Sequence, residues 1–151
     1  LDPQQPTQVI GVLDWEMATL GDPLMDLGSA LAYWIQEDDD ALMKSSRRQP
    51  THLKGMLTRQ QVVDYYLDKT GLQPENWAFY EVFGLFRLAV IAQQIYYRYY
   101  HQQTDNPAFK DFWILIHALH IRALKLIAAN NAEAQQLIPE YGAKLQDILK
   151  R

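Results

Sequence analysis

The sequence has 151 residues with 14 basic and 18 acidic side chains, a formal net charge of −4 at pH 7. That mild acidity excludes a general nucleic-acid binder, which needs a basic stripe to neutralise phosphates. Apolar residues make up 48% and charged residues 21%, enough apolar side chains for a globular core, and the lack of cysteine excludes disulfide scaffolds, thiol nucleophiles and thiolate-bound metals.

Residues 1–7, with Pro3 and Pro6, are polar and turn-prone and lack the basic-then-apolar order of a secretory signal, so a cytoplasmic location is expected. A start at Leu1 rather than methionine is expected of a piece of a longer protein. Residues 8–15, QVIGVLDW, are β-branched and apolar and predict a buried strand or hairpin arm. Asp22 before Pro23 reads as an N-cap with proline at the first helical position. Leu24, Leu27, Leu31, Trp34 and Ile35 then recur at helical spacing and predict a helix over 23–37. Residues 38–57 have no apolar period and predict a long polar surface connection, with Glu37 to Asp40 as a solvated acidic run.

Thr58 with Gln61 three residues later is a capping-box pattern. Val62, Val63, Tyr66 and Leu67 supply a buried face before Gly71 stops a helix over 59–70. A long aromatic helix follows over 75–103, with Trp77, Tyr80, Phe83, Phe86, Val90, Tyr97 and Tyr100 at spacings of three and four. Asn106-Pro107 starts a further helix ending near Asn130-Asn131, and a short amphipathic tail broken by Pro139 closes the chain. The richest apolar run, 113–129, is interrupted by His117, His120, Arg122 and Lys125, so no membrane span of roughly 18 apolar residues is expected. One strand cannot form a sheet alone. The expected architecture is mainly α with a small β element.

The chemistry concentrates in residues 9–28, VIGVLDWEMATLGDPLMDLG. A strand would deliver Asp14 to its end, with Glu16 on the same side and Asp22 and Asp26 on the following turn and helix. Carboxylates at a strand exit suit Mg²⁺, which takes one or two carboxylates together with phosphate oxygens and water. Spacing alone equally allows turn, cap and helix-dipole roles for Asp14, Asp22 and Asp26.

The run GVLDWEMATLGDPLMDLG resembles the metal-binding segment of the aminoglycoside phosphotransferase family, kinase-like small-molecule phosphotransferases that include choline kinase relatives. Its LDWE-x3-LGDP-x2-DL pattern is most similar to the branch with kinase-like domains fused to acyl-CoA dehydrogenases. The resemblance implies the C-terminal, helical lobe of a protein-kinase-like fold, with residues 1–22 as strand and metal-binding loop and 23–151 as helical subdomain. It implies transfer of a phosphoryl group, dependent on Mg²⁺ and ATP or another nucleoside triphosphate, to a hydroxyl of a small-molecule acceptor. Asp14 then matches the aspartate that holds Mg²⁺ against the nucleotide phosphates, with Trp15 and Glu16 standing where protein kinases carry Phe-Gly. Glu16 becomes a second metal ligand or a hydrogen-bonding support for one. Asp26 matches a buried aspartate that braces the catalytic-loop backbone, and Asp22 remains a helix cap.

The sequence also departs from that family. It holds no G-x-G-x-x-G, no G-x-x-x-x-G-K-[ST] and no H-x-D-x-x-x-x-N, and only 13 residues precede Asp14. The catalytic base is therefore expected upstream of Leu1, no residue of this chain is assigned that role, and the chain alone is expected to be inactive.

His117 and His120, three apart on a helix, read either as metal ligands lacking a third partner or as hydrogen-bonded core histidines, the second being the commoner case. Arg87, Tyr97 and Arg98 are candidate lining of a substrate pocket, against the plainer reading of a helix with half-exposed aromatics. Few acids fall in this region, which favours an acyl or other apolar hydroxylated acceptor over a polyamine. The pairs Arg47-Arg48 and Lys150-Arg151 are too sparse for a basic patch. Nucleic acid and membrane are not expected as partners. The rival to phosphoryl transfer is a non-catalytic, kinase-derived module that binds a partner through its aromatic helices. An unpaired strand edge would also make the isolated lobe self-associate, which light scattering reads directly.

Overall fold

The computed structural model describes residues 1–129 and 131–149. Asn130, part of the expected helix end, and the Lys150-Arg151 pair lie outside the described residues. Among the described residues six α-helices follow one another: α1 (Pro23–Ala32), α2 (Ala41–Ser45), α3 (Arg59–Thr70), α4 (Trp77–Tyr100), α5 (Phe112–Ala128) and α6 (Ala132–Leu149). Two 3-10 turns, Trp15–Met17 and Pro107–Phe109, complete the set.

The helix starts follow local chemistry. The Asp22 carboxylate accepts from the Leu24 N–H at 2.9 Å, with Pro23 at the first position of α1. Thr58 and Gln61 close both halves of the capping box of α3, and Gly71 ends that helix at φ 72°. Asn76 caps α4, accepting from the Ala78 N–H at 3.1 Å.

α4 is the central helix. One flank packs against α1 and another against α5, while α6 lies on α5 and α2 touches α5. The interior between them holds Ala32, Ile35, Met43, Leu85, Ala118 and Leu119, with Leu85 and Leu119 only 1% exposed. Burying a leucine this completely stabilises by about 1.5–3 kcal/mol. The α1–α4 contact is backbone on backbone. A Cβ on Gly28 would collide with the Tyr80 carbonyl, and one on Gly84 would collide with that of Gly28 and sit 2.9 Å from the Ser29 nitrogen. Only glycine at both positions allows this approach.

Several expectations are corrected. No strand forms among the described residues. Residues 8–14 have the composition of a strand but no ladder partner, and Val9, Ile10, Val12 and Leu13 stand 61–88% exposed. The first helix stops at Ala32 because side chains capture the next backbone groups. The Gln36 N–H donates to Asp39 at 2.7 Å, and the Thr51 hydroxyl accepts from the Ile35 N–H at 3.2 Å and donates to its carbonyl at 2.8 Å.

The polar connection contains α2, capped by Asp40, which buries Met43 to 2% exposure. The Asn106-Pro107 cap belongs to a 3-10 turn, and α5 starts only at Phe112. α6 continues through Pro139. Proline removes one helical hydrogen bond, and packing of α6 on α5 holds the helix together across it. Finally, the expectation that no run is long and apolar enough to span a membrane is corrected at α4, whose 24 residues include a stretch of mean hydropathy 1.2 and suffice by length and composition. Only 17% of that stretch is buried, although two flanks of α4 pack on α1 and α5.

Candidate functional site

Asp14 has φ 67° and ψ 48°, the left-handed region, which it shares with only one other described non-glycine residue, Gln102. Aspartate tolerates this conformation at a cost of about 1 kcal/mol, and such strain concentrates at functional positions. The 3-10 turn Trp15–Met17 follows at once, closed by the Ala18 N–H donating to the Trp15 carbonyl at 3.0 Å. The Trp15 indole N–H donates back to the Val12 carbonyl at 2.7 Å, which fixes the backbone on both sides of Asp14.

Asp14 and Glu16 are exposed, and the Asp14 carboxylate caps no backbone N–H of the turn it precedes. Among the described residues no group of three or more histidine, aspartate or glutamate side chains could enclose a metal. Two open carboxylates fit Mg²⁺ shared with phosphate oxygens and water, and do not fit a metal caged by protein alone.

Asp22 and Asp26 have different tasks. Asp22 is fully engaged, one oxygen capping α1 and the other accepting from the Tyr80 hydroxyl at 2.8 Å. That bond holds the motif to α4 and raises the Tyr80 phenol above its ordinary pKa, because ionised Tyr80 would face the Asp22 carboxylate. Asp26, expected to be buried, is exposed on α1 because nothing among the described residues covers it. It borders a recess of about 250 Å³ between α1 and α4, with Ser29, Tyr33 and Arg87.

The structure thus brings Asp26 and Arg87 to one recess. Tyr97 and Arg98 do not line it. They lie about three turns, roughly 15 Å, further along α4. The Tyr97 ring packs against His101 at 4.2 Å between centroids.

His117 is half-buried and His120 is exposed, and neither joins a group of metal-ligating side chains among the described residues. The Nδ1 atom of His117 is hydrogen-bonded to the Tyr141 hydroxyl of α6, and the His120 ring lies 4.3 Å from the Tyr141 ring. Burial, with His120 nearby, lowers the His117 pKa below the usual imidazole value.

An ionic clasp joins residues far apart in the chain and has no local sequence signature. Asp39, assigned to a solvated run, is half-buried and accepts two hydrogen bonds from the Arg59 guanidinium, at 2.6 and 2.9 Å. Arg59 also donates to the Trp34 carbonyl at 2.8 Å. Arg122 of α5 approaches Asp39 at 3.6 Å and Glu81 of α4 at 3.9 Å. Burial pushes the Asp39 pKa up, but the Arg59 hydrogen bonds, the Gln36 N–H and the two positive charges outweigh it and hold it below the usual value. The clasp ties α3, α4 and α5 to the loop after α1. Its partners lie 20 and more residues apart, beyond the reach of any local pattern.

Residues 1–58 match the model of the phosphotransferase enzyme family. Three curated relatives are acyl-CoA dehydrogenase family member 10 of Mus musculus (36% identical over 96 residues), acyl-CoA dehydrogenase family member 11 of Rattus norvegicus (35% over 95) and probable acyl-CoA dehydrogenase IBR3 of Arabidopsis thaliana (34% over 96). These matches cover 62%, 61% and 61% of this chain but only 9%, 12% and 12% of the relatives. The chain therefore spans about a tenth of their length. No solved structure matches significantly. The family match and the relatives' names agree with the resemblance read from the LDWE-x3-LGDP-x2-DL motif.

Proposed function

We propose, from the phosphotransferase family match over residues 1–58, that this chain is the helical lobe of an enzyme that transfers a phosphoryl group from Mg²⁺–ATP to a hydroxyl of a small molecule. The observation that carries the reading is Asp14, held in a left-handed conformation inside the matched segment with its carboxylate left open. Asp14 is the proposed metal ligand, and Glu16, two residues on and exposed, is the second ligand or its support. Bound Mg²⁺ supplies charge neutralisation on the transferring phosphoryl group. Asp22 anchors the segment to α4 through Tyr80, and Asp26 and Arg87 face the recess where the catalytic-loop backbone and acceptor are expected.

The base-bearing loop and the nucleotide lobe are proposed to come from outside this chain, since neither motif occurs in it. The acceptor is proposed to be an apolar hydroxylated molecule, because the recess has a single acid, Asp26, beside Arg87, and adds the hydroxyl-bearing Ser29 and Tyr33 to apolar Ala30, Leu88 and Ile91. A rival reading rests on Phe79, Phe86, Tyr97 and Tyr100 of α4, which are 54–69% exposed and offer a partner-binding face.

The test uses the complete protein that carries this chain. Asp14→Ala is expected to lower kcat by about 10²–10³-fold in an ADP-release assay, the scale of a lost electrostatic term. Turnover close to wild type, or no Mg²⁺–nucleotide-dependent thermal shift in the wild-type protein, would favour the binding module.

A further inference from the structure

A second recess, of about 210 Å³, lies between α1, α2, α4 and α5, on the far side of a wall made by Tyr33, Leu88 and Ile91, which line both hollows. Its floor is the core itself: Ile35, Met43, Ala92 and Leu119 are 1–4% exposed. A hollow of about 150 Å³ lined by such side chains accepts a six-carbon ring. Ser46 and Arg48 are the polar residues at its edge besides Tyr33. The Ser46 hydroxyl donates to the Met43 carbonyl at 2.7 Å, so its proton is committed.

Arg48 differs from its neighbours in charge pairing. Arg47 meets Glu37 at 3.6 Å and Arg59 is clamped on Asp39. Arg48 is exposed, has no acidic partner among the described residues, and no acid lines the recess beside it. An apolar hollow with one open guanidinium at its mouth matches a molecule with an apolar tail and a single anionic head. The planar guanidinium fork suits a carboxylate.

We propose that this recess binds a small aliphatic monocarboxylate of about six carbons, its tail on Ile35, Met43 and Leu119 and its carboxylate on Arg48. A polyamine is disfavoured by the lone positive charge, and a neutral alkane leaves that charge unused. The site belongs to the helical lobe alone, so it stands independently of the phosphoryl-transfer reading.

The test titrates hexanoate into the 151-residue chain, with methyl chemical shifts as the readout and no nucleotide present. Saturable shifts are expected at Met43, Ile35 and Ile95. Hexan-1-ol is expected to bind the same methyls about tenfold more weakly, the loss of one charge-assisted contact. Arg48→Gln, an exposed change that leaves the core untouched, is expected to weaken hexanoate about tenfold and leave hexan-1-ol unchanged. Absence of saturable shifts at those methyls, shifts confined to exposed residues 9–20, or equal hexanoate affinity in Arg48→Gln would each overturn the proposal.

Discussion

Residues 8–22 and the helices that follow are both rich in apolar side chains, yet they have opposite fates. Leu13 and Leu20 are 88% and 102% exposed, whereas Leu85 and Leu119 are 1% exposed. The difference lies in the backbone. A helix satisfies its own N–H and C=O groups and needs only a neighbour for one face, so α1, α4 and α5 pack as soon as they form. An extended segment satisfies nothing alone, and without a second strand its apolar side chains have no sheet to sit on. The stretch that carries the phosphotransferase motif is therefore the part of the chain that depends most on contacts outside itself.

The largest effect that would break this contrast comes from the α1–α4 crossing. Gly84→Val places a branched side chain against the Gly28 carbonyl and Ser29 nitrogen, which are backbone and cannot rotate away. A loss of about 3 kcal/mol or more is expected, and for a chain of this size a fall in Tm of roughly 10 °C, read by thermal circular dichroism. An unchanged Tm would mean that α1 is held by something other than this crossing. The ionic clasp comes next. Asp39→Asn removes the shared acid of Arg59 and Arg122 and leaves Glu81, 3.9 Å from Arg122, as the remaining acid of the clasp. A loss of about 2 kcal/mol is expected in urea unfolding. A value within about 0.5 kcal/mol of wild type would return Asp39 to the solvated role that its sequence context suggests.

These two sites show where legibility ended. Caps, stops and periodicity are local, so Asp22-Pro23, the Thr58–Gln61 box and Gly71 could be read directly and stand where expected. The Asp14 motif was legible as a twenty-residue pattern, and the family match bears on the same segment. Long-range pairings left no local trace. Nothing around Asp39 announces Arg59 and Arg122, and nothing around Gly28 announces Gly84. The aromatic period of α4 misled in a different way: Phe86, Val90 and Tyr100 keep helical spacing but lie on the uncovered face, while the packed face is built from smaller side chains, Gly84, Leu85 and Ala92. Arg87 and Tyr97, similar in composition and setting, were separated by distance along one helix that residue type does not reveal.

A smaller effect tests whether α6 belongs to the packed half. Burial lowers the His117 pKa in the folded chain, so the folded state binds fewer protons than the unfolded one below the usual imidazole value of about 6.5. Stability then rises with pH through that window. It is fully present above about 6.5 and falls as acid approaches the lowered folded pKa, where charged His117 can only donate to the Tyr141 hydroxyl. Thermal melts between pH 5 and 7.5 are expected to show this slope in the wild type and to lose most of it in His117→Gln, with pH and buffer ionisation matched. An identical slope in the variant would assign the pH dependence elsewhere.

The smallest expected change bears most directly on the exposed half. Asp14 occupies a left-handed conformation that glycine adopts without penalty. If the turn holds that geometry on its own, through the Trp15 indole on the Val12 carbonyl and the Ala18 N–H on Trp15, then Asp14→Gly is expected to leave the isolated chain unharmed or more stable by up to about 1 kcal/mol. In the complete protein the same change is expected to abolish phosphoryl transfer, because the carboxylate is gone while the turn remains. Stability and turnover would then move in opposite directions at one residue. A substantial loss of stability in Asp14→Gly would instead make the aspartate a structural member of the turn, and the case for an open carboxylate held for a metal would fall with it.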